Sequence, residues 1–260
     1  MRVAALLMAF VVLAPFGSMA FGQQKPPRDV LPSAPEGKSW KLVWHDEFDG
    51  RQLDQSKWDI PEYKRRDAYW SRKAIRLDGQ GNLAISTLKE GDKVLDGCVR
   101  TRRKFEHAFG YYVARIQLQE QQGHWSAFWL YNESVGKVGD EGRDGTEIDI
   151  MEKPWLDDRI NYALHWDGYG KQHKSEAKVV KVPGIMKGFH TYGLAWLPDQ
   201  YVFYIDGKEM WRTKAGGVCQ VPLYIKLSDE VGNWGGDIKK ATLPDRFLVD
   251  YVRVYDLTDR

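Results

Sequence analysis

Three acidic residues near the middle of the chain have the types and spacing to do chemistry: Glu147, Asp149 and Glu152. Alternate side chains of a β-strand share one face, so Glu147 and Asp149 are expected to point one way, with Ile148 and Ile150 on the other. Glu152 falls one residue out of this alternation. A β-bulge, which inserts one residue into a strand, would bring Glu152 onto the acidic face.

Carboxyl groups crowded on one face repel each other, so their pKa values are expected to separate. One group then stays ionised while another keeps its proton near neutral pH. These two states are the nucleophile and the general acid that glycoside hydrolysis requires. Taken alone, the acidic cluster also fits an acidic strand facing solvent or a metal site.

Tryptophans surround the acidic cluster and favour a carbohydrate ligand. The chain has 11 tryptophans; Trp125 and Trp129 precede the cluster, and His165 and Trp166 follow it. A tryptophan ring stacks on the apolar face of a sugar, although core packing explains any single tryptophan at least as well. The near balance of 38 basic and 36 acidic residues lacks the basic excess typical of nucleic-acid binding, so no nucleic-acid partner is expected.

The elements that must position these residues are predicted to be β-strands. Short runs rich in β-branched and aromatic residues predict strands at Lys41–Trp44, Asn82–Thr87, Tyr111–Leu118, Tyr192–Trp196, Tyr201–Ile205 and Phe247–Tyr255. Turn residues between the later runs predict successive antiparallel strands across Tyr192–Trp211. No stretch has sustained helical periodicity, so the fold is predicted to be all-β, with two packed antiparallel sheets in one domain.

The N-terminal residues have the features of a secretory signal peptide, predicted over residues 1–22. Arg2 is followed by an apolar run from Val3 to Phe16 and then by small residues, with cleavage expected after Ala20 or Gly22. The run is shorter than the roughly 20 residues that span a bilayer, which favours cleavage over a membrane anchor. A Pro-rich leader over residues 23–38 and one catalytic domain over residues 39–260 follow. The mature protein is expected to be secreted or periplasmic, without a membrane partner.

The two cysteines, Cys98 and Cys219, are consistent with two arrangements. An exported protein permits a disulfide between them. Two buried free thiols that pack as small apolar side chains are equally consistent with the sequence. Neither cysteine has a second one nearby, so no zinc-ribbon spacing is present.

The acidic motif and several other segments resemble glycoside hydrolase family 16, which includes laminarinases, lichenases, agarases and carrageenases. Residues 147–152 match the signature of that family in its bulged form. Further segments agree with the family in order along the chain: Trp44–Gly50, Gly110–Leu118, Trp125–Leu130, Phe189–Trp196 and Val249–Tyr255. The resemblance covers roughly Ser39 to the C-terminus.

The resemblance implies a β-jelly-roll sandwich with an open cleft across its concave sheet, and an endo-acting, retaining hydrolase of β-linked polysaccharides. By position, Glu147 is the nucleophile, Glu152 is the general acid and later the base, and Asp149 lies between them and tunes the nucleophile. Retaining enzymes hold the two working carboxyl groups about 5–5.5 Å apart. The protein is expected to act as a monomer, with a polysaccharide as its substrate.

The resemblance also implies substrate contacts and a metal site. Trp125, Trp129, His165 and Trp234 are the expected substrate-binding residues, although Trp129 is equally suited to packing beneath the catalytic strand. No cofactor is expected for the reaction. Some members carry a structural calcium away from the active site, and Glu47 and Asp250 are the candidate ligands here, although an ordinary surface role also fits both.

The substrate and the exact reaction are left open by the sequence. Residues 153–159 and 226–230 depart from the usual glucanase pattern, so a β-galactan, including a sulfated one, stands beside β-1,3-glucan, which is the favoured substrate. Basic clusters at residues 64–66, 72–73 and 100–104 suit an anionic polymer if they line the cleft, and a solvated surface if they do not. The sequence also fits a transglycosylase, or a carbohydrate-binding protein that uses the same sandwich without catalysis.

Overall fold

A computed structural model of the protein describes residues 31–260. The predicted signal peptide and the first half of the Pro-rich leader, residues 23–30, lie outside these residues, so their boundaries stay predictions. Within residues 31–260, no helix has both the length and the apolar character needed to cross a lipid bilayer.

β-Strands dominate the described chain, as the sequence predicts. The strands are β1 (Lys38–Asp46), β2 (Tyr63–Arg65), β3 (Ala68–Trp70), β4 (Ile75–Leu77), β5 (Leu83–Glu90), β6 (Lys93–Asp96), β7 (Cys98–Arg100), β8 (Glu106–His107), β9 (Gly110–Gln117), β10 (His124–Tyr131), β11 (Glu147–Lys153), β12 (Arg159–Trp166), β13 (Lys174–Lys181), β14 (Phe189–Leu197), β15 (Gln200–Ile205), β16 (Lys208–Thr213), β17 (Leu223–Val231) and β18 (Asp245–Asp259). Short 3₁₀ turns lie at Arg72–Ala74, Glu133–Gly136, Ala215–Gly217, Asn233–Gly235 and Ile238–Lys240.

The strands form two sheets. The larger has 11 strands, in the order β16-β15-β14-β9-β18-β5-β6-β3-β2, with β1 beside β18 and β4 beside β5. The smaller has 7 strands, in the order β13-β12-β11-β10-β17-β7, with β8 beside β17. Pairing is antiparallel except between β3 and β6. The predicted all-β sandwich is confirmed, and so are the successive strands β14, β15 and β16.

The core lies between the sheets and fixes the orientation of the acidic strand. Ile148, Ile150 and Met151 of β11 are fully buried in one cluster with Tyr112 and Val254 of the larger sheet. Burying an aliphatic side chain of this size contributes about 1.5–3 kcal/mol, so the apolar side of β11 is held inward. The acidic side of β11 therefore faces away from the core.

Cys98 and Cys219 are free thiols, and both are buried. Burial raises the pKa of Cys98 to about 12 and the pKa of Cys219 to about 11, so both stay protonated and unreactive near neutral pH. Of the two arrangements consistent with the sequence, the structure has the pair of buried thiols.

Candidate active site

The loop before β11 packs closely against neighbouring backbone, and this packing fixes where the acidic strand begins. A side chain at Gly145 would come within 2.3 Å of the Ser134 backbone, so only glycine fits this approach. The hydroxyl of the next residue, Thr146, donates to the carbonyl of Gly142 at 2.8 Å. These contacts set the position at which Glu147 begins β11.

A β-bulge interrupts β11 between Asp149 and Glu152, as the sequence predicts. Asp149 pairs with Ala163 of β12, and the next pairing joins Glu152 to Asn161, so the acidic strand has one more residue than its partner. The register with β10 shifts at the same place. The extra residue turns Glu152 onto the face that carries Glu147 and Asp149.

Paired residues of neighbouring strands share a face, so the register shows what surrounds the acids. Asp149 pairs with Trp129 of β10. Trp129 pairs with Lys226 of β17, and Lys226 pairs with Arg100 of β7. The three carboxyl groups therefore lie on the outer face of the 7-stranded sheet, beside a row of aromatic and basic side chains.

Glu147 lies at the start of β11, in contact with groups that stabilise its ionised form. The Tyr169 hydroxyl donates to Glu147 Oε2 at 2.5 Å. The pKa of Glu147 is raised overall, because burial outweighs the Tyr169 hydrogen bond and the positive charge of Lys226, which lower it. Tyr169 and Lys226 thus limit the rise in the pKa of Glu147.

Glu152 has an environment that favours its protonated form. Burial, the largest cause, raises its pKa to about 8, and repulsion from Glu147 acts in the same direction. Hydrogen bonds from Asn161 and Trp125 oppose this shift, with Asn161 Nδ2 3.0 Å from Glu152 Oε2. Glu152 can therefore hold a proton at neutral pH, which is the property of a general acid.

Asp149 lies between these two carboxyl groups and is only 4% exposed. Burial, with repulsion from Glu152 and Glu147, raises its pKa well above the ordinary value. His165 Nε2 is 3.5 Å from Asp149 Oδ2, and His165 Nδ1 is 2.9 Å from His173 Nε2. Burial lowers the pKa of His165 to about 4, so it is a neutral hydrogen-bonding group near neutral pH.

The predicted tryptophans differ in how much of each ring is free to meet a sugar. Trp125 and Trp129 share the acidic face, but their exposures are only 3% and 4%. Trp129 donates to the Ser228 hydroxyl at 3.0 Å and lies against Lys226, so it lies beside the acidic strand β11 and not beneath it. Trp234 is 41% exposed and meets Trp125 edge-on with ring centroids 5.3 Å apart, so it is the tryptophan available for stacking.

Oxygen and nitrogen atoms of Glu147, Asp149 and His165 lie within 4.8 Å of one another, a spacing that a metal ion also accepts. The candidate calcium ligands belong to no such group of three or more residues in the described part of the chain, and each has an arginine partner. Glu47 pairs with Arg253 at 2.7 Å, and Asp250 pairs with Arg115 at 2.6 Å. The geometry gives the calcium expectation no support, and it stays a prediction.

The residue order, the bulge and the sandwich together point to one family, and the comparison with known proteins agrees. The profile of the glycosyl hydrolases family 16 matches residues 62–253. The chain belongs to this family. As a family 16 member it is a glycoside hydrolase that acts on O-glycosyl bonds, an endo-β-glycanase with a polysaccharide substrate and a jelly-roll sandwich fold.

Relatives within family 16 act on different polysaccharides. The chain is 27% identical to a β-glucanase from Rhodothermus marinus, covering 83% of this chain and 85% of that protein. It is also 27% identical to a keratan-sulfate endo-1,4-β-galactosidase from Sphingobacterium multivorum, covering 84% of this chain and 56% of that protein. The structure of an endo-β-1,3-glucanase from Pyrococcus furiosus superposes with a TM-score of 0.72 and 28% identity, covering 86% of this chain and 97% of the other.

Several residues of this family 16 site are not found by reasoning from the sequence. Asn161 and Lys226 reach the acids from neighbouring strands, and strand alternation could have placed both once the pairing was known. Tyr169 comes from a loop, where its only sequence signal is a glycine on each side. Arg65 and Arg100 belong to basic clusters that the sequence shows, but only the fold shows that they lie beside Glu147.

Proposed function

We propose that the protein is a retaining endo-β-glycanase in which Glu147 is the nucleophile and Glu152 is the general acid and base. The observation that carries this proposal is the bulge in β11, which places both residues on one face in different surroundings. Burial raises the pKa of both carboxyl groups; Tyr169 and Lys226 oppose this rise at Glu147, whereas the pKa of Glu152 reaches about 8. The two carboxyl groups supply the nucleophile and the acid, so this chemistry needs no cofactor.

The reaction proceeds in two displacements. In the first, a Glu147 oxygen attacks the anomeric carbon while Glu152 gives its proton to the departing glycosidic oxygen. The bond to the leaving sugar breaks, and a covalent glycosyl ester forms on Glu147. In the second, the Glu152 carboxylate takes a proton from water, the water oxygen bonds to the anomeric carbon, and Glu147 leaves as a carboxylate. Two inversions give net retention.

Asp149 supports this cycle as a positioning residue. Burial and the neighbouring carboxyl groups raise its pKa, which favours its protonated form, and a protonated carboxyl can donate a hydrogen bond to a neighbouring carboxylate such as Glu147. We expect the working oxygens of Glu147 and Glu152 to lie about 5–5.5 Å apart, the separation of retaining enzymes. A glycan-binding protein without catalysis would need neither the bulge nor the separate environments of the acids.

The polysaccharide is either a β-1,3-glucan, which the family resemblance favours, or a β-galactan. Arginines beside Glu147 favour a sulfated β-galactan, since a neutral glucan or galactan has no anionic group for them to bind. Reducing-sugar release from laminarin, mixed-linkage glucan, agarose, carrageenan, porphyran and arabinogalactan tests both, with Glu147→Gln as the inactive control. Release from one polymer that is lost in Glu147→Gln identifies the substrate class; no release from any polymer contradicts the proposed hydrolysis.

The same covalent intermediate can pass its sugar to water or to another sugar. Product analysis with added acceptor oligosaccharides separates hydrolysis from transglycosylation, because transfer gives products longer than the starting chain. We further propose that the mature protein acts as a monomer outside the cytoplasm. Size-exclusion chromatography and cell fractionation test these two points.

We expect Tyr169→Phe to shift the acidic limb of the pH–activity profile to higher pH. The Tyr169 hydroxyl stabilises ionised Glu147, so its loss raises the pKa of the nucleophile, and less of it is charged at low pH. A hydrogen bond to a charged group contributes about 1.5–3 kcal/mol, so kcat/KM on the acidic limb should fall about tenfold or more. The measurement is kcat/KM against pH, with Tyr204→Phe of the larger sheet as control. An unmoved acidic limb contradicts the assigned contact.

We expect Trp234→Ala to raise KM and leave kcat nearly unchanged. Trp234 is exposed at the rim and is supported by the edges of Trp125 and Trp155, so it offers a rigid surface to a sugar away from the acids. An aromatic contact contributes about 0.5–1.5 kcal/mol, which corresponds to a rise in KM of about two- to tenfold. Trp234→Phe should restore most of the affinity. Unchanged KM for long oligosaccharides would remove Trp234 from the binding surface.

A further inference from the structure

A basic pocket adjoins the nucleophile, on the outer face of the smaller sheet. Its volume is about 480 Å³, and Glu147 and Tyr169 form one wall. The basic side chains that line it are Arg65, Arg66, Arg100, Arg102 and Lys226. They come from the β2–β3 hairpin, from β7 and the loop that follows it, and from β17, so the fold gathers them from three separate parts of the chain.

The four arginines of this pocket are paired with three carboxylates. Arg65 and Arg66 share the single carboxylate of Glu230, which is 3% exposed. Arg100 pairs with Asp59 at 2.8 Å, and Arg102 pairs with Glu133 at 2.8 Å. These acids hold the guanidinium groups in place without neutralising all of them.

Donor groups remain free to meet a ligand. In the described part of the chain, Arg65 and Arg100 use Nε and Nη2 for their carboxylates, which leaves Nη1 of each. Lys226 Nζ lies 3.5 Å from the Trp129 ring centroid and 5.0 Å from that of Trp70, so aromatic faces surround its charge. Guanidinium groups with free N–H donors are well suited to the oxygens of a sulfate or carboxylate.

We infer that this pocket binds an anionic substituent of the polysaccharide, a sulfate ester or a carboxylate, on the glycone side of the cleaved bond. This inference rests on the proposed function, because it takes Glu147 as the nucleophile. The side is assigned by the lining, since Glu147 lines the pocket and Glu152 does not. Neutral polymers would leave the free guanidinium donors to hydroxyl groups, which form weaker bonds than anionic oxygens.

The test compares polymers that differ only in the anionic group. Porphyran and chemically desulfated porphyran test sulfate, and laminarin and its C6-carboxylated derivative test carboxylate. For each pair, kcat/KM is measured by reducing-sugar release. The mobility of the protein in native gels that contain each polymer gives the relative affinity, with or without turnover. We expect at least a tenfold preference for the anionic member of one pair, which falls as salt is raised.

Variants connect the preference to the pocket. Arg102→Gln should lower kcat/KM for the preferred polymer by about tenfold, as expected for one charge-assisted hydrogen bond, and leave the neutral member within about twofold. Arg65→Gln should weaken retardation by the anionic polymer by a similar factor; its effect is measured as affinity because the Arg65 charge also acts on Glu147. Lys64→Gln and Arg103→Gln are matched controls, since each is an exposed basic neighbour of its partner variant and does not line the pocket. Thermal melting of every variant identifies any that fails to fold.

The inference is overturned if kcat/KM and gel mobility are the same for the anionic and the neutral polymer in both pairs. It is also overturned if the preference for the anionic polymer persists in Arg65→Gln and Arg102→Gln. Hydrolysis of laminarin that is lost in Glu147→Gln, together with no anionic preference, leaves the proposed function intact and rejects only the pocket. If no polymer is hydrolysed but gels that contain an anionic polymer retard the protein, and the arginine variants lose this retardation, the pocket is supported and the proposed catalysis is rejected. The two failures are therefore distinguishable.

Discussion

Glu147→Gln is expected to abolish turnover while the fold stays intact. The amide has nearly the shape of the carboxylate, but it is a poor nucleophile, so the covalent intermediate cannot form at a useful rate. By analogy with the loss of a catalytic nucleophile in other hydrolases, kcat should fall by about 10⁴-fold or more. Stability should not fall with it, because the change removes one of several repelling acids in a crowded cluster. Reducing-sugar release and thermal melting measure the two effects.

A small external nucleophile makes this assignment specific. Glu147→Ala leaves a space next to the anomeric carbon, where azide can attack from the side that the carboxylate would have used. One displacement then replaces two, so the glycosyl azide product should have inverted anomeric configuration, which proton NMR detects. Glu176→Gln, an exposed change on edge strand β13 of the same sheet, is the matched control and should keep full activity. Wild-type-like activity in Glu147→Gln would falsify the assignment.

The acidic motif was predictable because its local pattern carries enough information. Ile148 and Ile150 alternate with Glu147 and Asp149, and the core requires an apolar side on any strand that it buries. The break at Glu152 predicts a bulge from the sequence alone, and the register confirms it. This prediction of an acidic face with a bulge uses only residues 147–152, so it does not require knowing which strands pair with β11.

Strand β17 shows why other parts of the site could not be predicted. Every residue of Leu223–Val231 is buried, including Lys226, Asp229 and Glu230, so the polar side of this strand is covered even though polar and apolar residues alternate along much of it. Its charges are accommodated by distant partners, such as His124 for Asp229 at 2.9 Å and Arg65 for Glu230 at 3.1 Å. Such pairs depend on the tertiary fold, and no local pattern in the sequence specifies them.

The tryptophans show the limit of composition as evidence. Their number favours a carbohydrate ligand, but the fold uses Trp125 and Trp129 as buried parts of the cleft floor and exposes Trp234. Trp129 lies against the Lys226 ammonium group, a cation–π contact that holds the lysine beside Glu147. Trp129 can therefore affect the pKa of Glu147 by positioning Lys226, without stacking on a sugar.

Glu152→Gln is expected to affect substrates according to how easily their leaving group departs. A natural glycosidic oxygen must be protonated as it leaves, and loss of a general acid costs about 10²–10⁴-fold in rate. A dinitrophenyl glycoside leaves as a stable anion without that proton, so bond cleavage from it should change little. Its overall turnover then becomes limited by the second displacement, which lacks its base. The measurement is kcat/KM, which reports the first displacement, for both kinds of substrate.

The pH dependence gives the same assignment an independent test. The pKa of Glu152 is raised from 4.5 to about 8, so its acid form is present below that pH and is lost as the pH rises through it. The wild-type kcat/KM for a natural polysaccharide should therefore decline above about pH 8, tenfold for each further pH unit. In Glu152→Gln no proton remains to be lost at this position, so the alkaline limb should disappear from the residual activity on the natural polysaccharide. The dinitrophenyl glycoside needs no proton from Glu152, so its kcat/KM should show little alkaline limb with either enzyme. If the limb persists in the variant, Glu152 is not its source; Lys226, whose pKa burial lowers to about 8, is then the group to replace next.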